Sequence, residues 1–193
     1  NIFNKLPSSI YINNCQKNEI SREYYLTEEE NEIILIWTDK IKYCDFMFFG
    51  LSNITEIDFS SFDTSEVTTM ACIFYGCTSL TSINLDNFNT SLVTTMSYMF
   101  YQCNSLLSLD LKDFNTELVI TTRSMFYNCY SLTSLNLSSF DTSSVRDMSF
   151  MFYECNSLTS LDINHFNTSS VENMNTLFFG CYSLQYLNIS NFD

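Results

Sequence analysis

Residues 132–157 read "LTSLNLSSFDTSSVRDMSFMFYECNS". Apolar residues change period partway through. Leu132, Leu135 and Leu137 open the stretch, the last two alternating across Asn136, which predicts a short strand with one buried face. Phe140 follows, and then the turn-prone "DTSS", in which Asp141 bonds its own backbone. Val145, Met148, Met151, Phe152 and Cys155 fall at spacings of three and four. That spacing predicts a helical or 3-10 segment with one buried stripe.

The phrase is a repeat. Units begin at Ile54, Leu80, Leu106, Leu132 and Leu158, each 26 residues after the last, and a truncated sixth begins at Leu184. A degraded earlier copy aligns "FFGLSNI" (48–54) with "FYGCTSL" (74–80). Residues 40–193 therefore form one array. Residues 1–39 fit no repeat and, with the charges of "LTEEENE" (26–32), read as an N-terminal capping region. One strand and one helical segment every 26 residues is a leucine-rich-repeat period. A single coil cannot bury its apolar face, but stacked coils can. The expected fold is an α/β repeat solenoid whose parallel strands stack along the axis. The last unit stops after its strand and Phe192, so the chain is expected to continue past Asp193 or to have that end covered by a partner chain.

The consensus L-x-x-L-x-L-x-x-F-[DN]-T-S-x-V-x-x-M-x-x-M-F-Y-x-C-x-S-L resembles the 26-residue repeat of BspA-like surface proteins, a branch of the leucine-rich repeats. The resemblance covers roughly residues 40–193. It implies a cell-surface or secreted location and a role in adhesion or binding, with no catalytic residues to carry over. Ordinary leucine-rich repeats place Asn or Cys after the strand. Here that position holds Phe62, Phe88, Phe114, Phe140, Phe166 and Phe192, so a phenylalanine spine is expected in place of an asparagine ladder.

Charge excludes some partners. The net charge is −14, and between Leu51 and Asp193 the only cations are Lys112, Arg123 and Arg146. Such a surface repels nucleic-acid backbones and anionic membranes. No apolar run reaches the roughly 18 residues of a membrane span. Asn rather than Met stands first, and the chain is expected to be a processed product or a fragment.

Five cysteines share one column: Cys77, Cys103, Cys129, Cys155 and Cys181. Leu51 holds that place in the degraded copy, so the column reads as apolar core with reduced thiols. The rival is a disulfide between rungs, about 4.8 Å apart, although five cysteines leave one over. Zinc is disfavoured because no second close pair accompanies Cys72 and Cys77. Cys15 and Cys44 lie outside the column and are candidates for one bridge near the N-terminal cap.

Outward columns are the candidate binding stripes. Asp58, Asn84, Asp110, Asn136, Asp162 and Asn188 alternate acid and amide. They read either as an amide–carboxylate ladder or as a weak calcium stripe, the one cofactor the sequence leaves open. Tyr75, Tyr101, Tyr127 and Tyr153, flanked by Phe49 and Phe179, read either as stacked rings sealing the coil junctions or as an exposed stripe for protein or sugar. Sequons for N-glycosylation occur at Asn53, Asn89, Asn136, Asn167 and Asn188. His165, the one histidine, is expected to be solvated on a strand exterior. With no nucleophile–base pair and no glycine-rich phosphate loop, an enzyme is not expected. The expected function is a recognition or adhesion module that meets a protein or glycan on another cell or matrix. The alternative is a structural subunit that stacks end to end into a filament or surface layer.

Overall fold

The computed structural model describes residues 6–19, 26 and 30–192. Part of the charged "LTEEENE" stretch lies outside them. The N-terminal region forms a three-stranded antiparallel sheet of β1 (Ser9–Ile12), β2 (Cys15–Gln16) and β3 (Ile33–Ile36), in the order β2-β1-β3. One coil follows another from there. The strand side carries β4 (Glu56–Asp58), β5 (Ser82–Asn84), β6 (Ser108–Asp110), β7 (Ser134–Asn136), β8 (Ser160–Leu161) and β9 (Tyr186–Leu187). These pair in parallel as β4–β5, β6–β7 and β8–β9, each residue facing the one 26 positions on, as Ile57 faces Ile83. A second line of parallel bridges runs Tyr43–Thr69–Thr95–Thr121–Asp147–Asn173.

The expected helical segment is not there. Its side chains are placed as the spacing predicts, since Val145, Met148, Met151, Phe152 and Cys155 are all fully buried. The backbone path differs. Ser124, Phe126 and Asn128 donate their N–H groups to the carbonyls of Ser149, Met151 and Tyr153 in the next coil. The intervening Met125, Tyr127 and Cys129 donate three residues back, to Thr122, Ser124 and Phe126. An α-helix would use every N–H on the carbonyl four residues back. Here half the amides of the segment bind the neighbouring coil, so the segment is a run of linked turns.

Two residues per coil enforce this path with positive φ. One column is Phe46, Cys72, Tyr98, Ser124, Phe150 and Thr176, and the other is Gly50, Gly76, Gln102, Asn128, Glu154 and Gly180. Each such residue interrupts right-handed winding. Gly180 is needed on two counts: its φ is 80°, and a Cβ there would lie 2.6 Å from Glu154 Cγ.

The core is two phenylalanine columns with Leu, Val, Met and Cys between them. Phe88, Phe114, Phe140 and Phe166 are buried after the strands as expected. The unbroken ring stack, however, lies on the turn side. Phe48, Phe74, Phe100, Phe126, Phe152 and Phe178 follow at centroid distances of 5.9, 5.3, 5.8, 5.7 and 5.7 Å.

A buried threonine column clips the coils together. Thr64, Thr90, Thr116, Thr142 and Thr168 are each at most 3% exposed. Thr116 Oγ1 accepts the Asp141 N–H at 2.8 Å and donates to the Asp141 carbonyl at 2.9 Å. Thr90 makes the same pair with Asn115, and Thr142 with Asn167. Each hydroxyl thereby satisfies both backbone groups of one residue in the next coil. Thr116→Val keeps the shape and strands a buried donor and acceptor, each costing about 1–3 kcal/mol. Urea unfolding should show a loss of roughly 2–4 kcal/mol for Thr116→Val, and a much smaller loss for Thr116→Ser.

Candidate functional site

Side chains on this scaffold form columns, and each column's chemistry follows from where the turn aims it. The cysteine column points inward. Cys77, Cys103, Cys129 and Cys155 are fully buried, and Cys181 is partly so. Every thiol in the column is free, and each is also a donor. Cys129 Sγ lies 3.2 Å from the Phe100 carbonyl, 29 residues back, and the other four repeat the contact at 3.1–3.3 Å. The same Phe100 carbonyl accepts the Cys103 N–H, so both its lone pairs are used. Cys15 and Cys44 are free as well, and the candidate bridge is not formed. Cys15 is exposed on β2, whereas Cys44 is fully buried in the first coil.

The Asp/Asn column after the strands is a series of turn caps. Oδ1 of Asp58, Asn84, Asp110, Asn136, Asp162 and Asn188 accepts the N–H two residues on, at 2.8–3.4 Å. These hydrogen bonds run within each coil, and Asn136 of the next coil also interacts with the Asp110 side chain. The alternation still keeps Asp58, Asp110 and Asp162 two coils apart, roughly 10 Å. Among the described residues no group of three or more His, Cys, Asp or Glu side chains is placed to hold a metal. A second capping column, Asp63, Asn89, Asn115, Asp141 and Asn167, repeats the turn. The Ser60 N–H holds the Asp58 carboxyl below its usual range. The hydroxyls and then the N–H groups of Ser65 and Ser143 do the same for Asp63 and Asp141.

These caps account for most of the sequons. Asn89, Asn136, Asn167 and Asn188 each cap the N–H of the serine that completes the N-x-S pattern. Asp takes the same place in other coils, so the turn alone requires the pattern there. Asn53 is exposed at a coil junction. His165 is exposed, as expected, and lies in the turn that follows β8. Its Nε2 lies 3.1 Å from the Leu137 carbonyl, and its ring stands edge-on to Phe166 at 5.2 Å.

The aromatic column is the surface feature with most continuity. Phe49, Tyr75, Tyr101, Tyr127, Tyr153 and Phe179 stack at 4.7, 4.4, 4.6, 4.4 and 5.0 Å, with interplanar angles of 3–18°. The tyrosines are half-buried, while the terminal Phe49 and Phe179 are exposed. Burial first, and the neighbouring Tyr75 and Tyr127 second, push the Tyr101 hydroxyl up to about 12. A flanking column, which the sequence reading missed, widens the stripe. Phe46, Tyr98 and Phe150 lie 5.6–5.9 Å from Phe49, Tyr101 and Tyr153. Arg123 braces that flank: Nε donates to the Tyr98 hydroxyl at 2.8 Å, Nη1 reaches Ser149 at 3.1 Å and Asp147 at 3.4 Å, and the guanidinium lies 5.5 Å from the Phe150 ring centroid.

Burial keeps the inner thiols protonated. Cys103, Cys129 and Cys155 are raised well above the ordinary 9.0, first by loss of water and then by neighbouring thiols. A thiol raised by folding favours the folded state fully below its unfolded value and loses that contribution as pH climbs above it. Thermal stability should therefore be flat with respect to these groups up to about pH 8 and fall steeply above about pH 9. A Cys103→Ala, Cys129→Ala, Cys155→Ala triple variant, though less stable at neutral pH, should lose much of that alkaline slope.

No curated protein matches the chain. A crystal structure of a leucine-rich repeat protein from Eubacterium ventriosum ATCC 27560 is similar in fold, with a TM-score of 0.49 and 19% identity over 74% of this chain. The match takes in 34% of that protein, so the chain spans about a third of its length. A family profile matches residues 19–134 and again residues 105–193, the overlap expected of a repeat. The chain belongs to that family, described as "Mycoplasma protein of unknown function, DUF285".

Proposed function

We propose that this chain is a non-catalytic recognition module, displayed at a cell surface or secreted, that binds a protein partner along its aromatic stripe. The observation that carries the reading is how the six rings are oriented. Each inner ring has both faces against its neighbours, so the stripe offers solvent only ring edges and the four tyrosine hydroxyls. A sugar ring is held by an open aromatic face, and within the stack only Phe49 and Phe179 have a face left over. A row of edges and hydroxyls suits a polypeptide, which supplies apolar side chains and hydrogen-bonding groups at short intervals. The stripe is roughly 24 Å long, five coil spacings.

Two further features support the reading. The repeat resembles that of BspA-like surface proteins, which favours an extracellular setting. The net charge of −14 favours a partner rich in cations.

The test is binding of the purified chain to immobilised extracellular-matrix proteins and, in parallel, to a glycan array. A variant carrying Tyr75→Phe, Tyr101→Phe, Tyr127→Phe and Tyr153→Phe keeps every ring and removes every hydroxyl of the stripe. Protein binding is expected, with a loss of about tenfold or more in the variant, the equivalent of one or two hydrogen bonds, and little change in melting temperature. Binding confined to glycans, or binding indifferent to the four substitutions, would refute the proposal.

A further inference from the structure

One outward face of the array consists of two columns that the backbone holds in register. The amides of Thr68, Thr94, Ile120, Arg146 and Glu172 donate to the carbonyls of Lys42, Thr68, Thr94, Ile120 and Arg146 at 2.8–2.9 Å. Those six residues therefore stack directly, at about 4.8 Å per coil. The second column is Glu66, Leu92, Leu118, Ser144 and Ser170, each in the same turn of its own coil. The Val67, Val93, Val119, Val145 and Val171 amides close that turn on the carbonyls of Thr64, Thr90, Thr116, Thr142 and Thr168. Val93 and Val119 are fully buried, whereas Leu92, Leu118 and Ile120 beside them are 44, 47 and 50% exposed. Stacking of the coils does not call for aliphatic side chains at these three places, since the next coil carries Ser144 and Arg146 there.

The charges along this face select a partner. Coil by coil it carries a positive charge at Lys42, a negative one at Glu66, the aliphatic Leu92, Leu118 and Ile120, a positive charge at Arg146 and a negative one at Glu172. That order is complementary to its own reverse. A two-fold axis between the coils of Leu92 and Leu118 sets Leu92 against Leu118 of a second copy and Thr94 against its Ile120. It also sets Lys42 against Glu172 of the second copy, and Glu66 diagonally across from its Arg146. A copy laid alongside in the same direction would set like charge on like. No ion pair within the chain has to break. Glu66 lies 3.7 Å from Lys40 and Arg146 lies 3.5 Å from Glu172, and in the reversed arrangement these two pairs meet with signs crossed. The chain as a whole carries −14, yet these two columns are neutral, with Lys42 and Arg146 against Glu66 and Glu172. Beyond about 8 Å the remaining repulsion is largely screened at physiological ionic strength.

We infer that two copies of this chain associate through this face, their coils stacked in opposite directions, with Leu92, Leu118 and Ile120 at the centre of the contact. The arrangement is isologous and closed, so it yields a dimer. The face is roughly 24 Å long, five coil spacings, which is small beside a standard interface, so the dimer is a weak one. None of its residues belongs to the aromatic stripe.

Sedimentation velocity of the 193-residue chain from about 10 to 500 μM, a range in which a small interface is populated, reads this out directly. A monomer–dimer equilibrium is expected. Leu118→Glu alters an exposed side chain, so the melting temperature should hold while the dimer is lost. Glu66→Arg alone and Arg146→Glu alone should each weaken the dimer about tenfold, because each converts two facing attractions into repulsions. Glu66→Arg is the sharper of the two, since it makes the chain less negative and general charge repulsion would then favour association. Mixing those two variants should restore a heterodimer, because every facing pair is then opposite in sign. A chain that stays monomeric throughout would overturn the proposal and leave the face to a different protein. A dimer indifferent to Leu118→Glu and to both charge reversals would overturn it as well.

Discussion

A coil of 26 residues cannot satisfy its own backbone, and the rest of the structure follows from that constraint. Unpaired N–H and C=O groups in a core cost about as much as lost hydrogen bonds. Each coil therefore gives a large share of its donors to the next. Alternate amides of the turn segment reach forward. Threonine hydroxyls clip the corner after the strand, and cysteine thiols reach back to the phenylalanine carbonyls. A residue type repeats wherever its side chain or φ serves this coil-to-coil bonding. Where the side chain leaves the backbone and enters water, identity drifts. The outward column Leu92, Leu118, Ser144 and Ser170 illustrates the drift.

The same constraint sets the spacing of everything on the surface. Because coil follows coil at one strand spacing, equivalent side chains stack, and flat rings end face to face. The tyrosine stripe is thus a by-product of the backbone ladder. What it offers a partner is limited accordingly: the ring faces are already occupied, and edges and hydroxyls remain. The acidic caps are limited in the same way, since each Oδ1 is committed to an N–H of its own coil.

Much of this was legible in the residues. Period 26, the strand, the burial of Val145, Met148, Met151, Phe152 and Cys155, and the self-capping of Asp141 all follow from residue type and spacing. The helix did not survive, because three-and-four spacing reports which side chains are buried together and is silent about where the amides point. A contrary signal was present: Gly50, Gly76, Asn128 and Gly180 share one column, and these residue types mark a positive φ. Threonine after Asp or Asn reads locally as a turn former, and its second role depends on a coil 25 residues away. The same holds for the thiols, which read as small apolar groups until the carbonyl beneath them is seen. Asn128 Oδ1 and Asn156 Oδ1 are buried with no protein partner, and nothing in the fold accounts for them.

The central claim is that the turn segment bonds to the next coil. Through-hydrogen-bond scalar couplings in isotope-labelled protein report donor and acceptor for each amide. The account predicts that the Phe126 amide couples to the Met151 carbonyl, and the Ser124 amide to the Ser149 carbonyl. Coupling of the Phe126 amide to the Thr122 carbonyl, the bond of an α-helix, would contradict it.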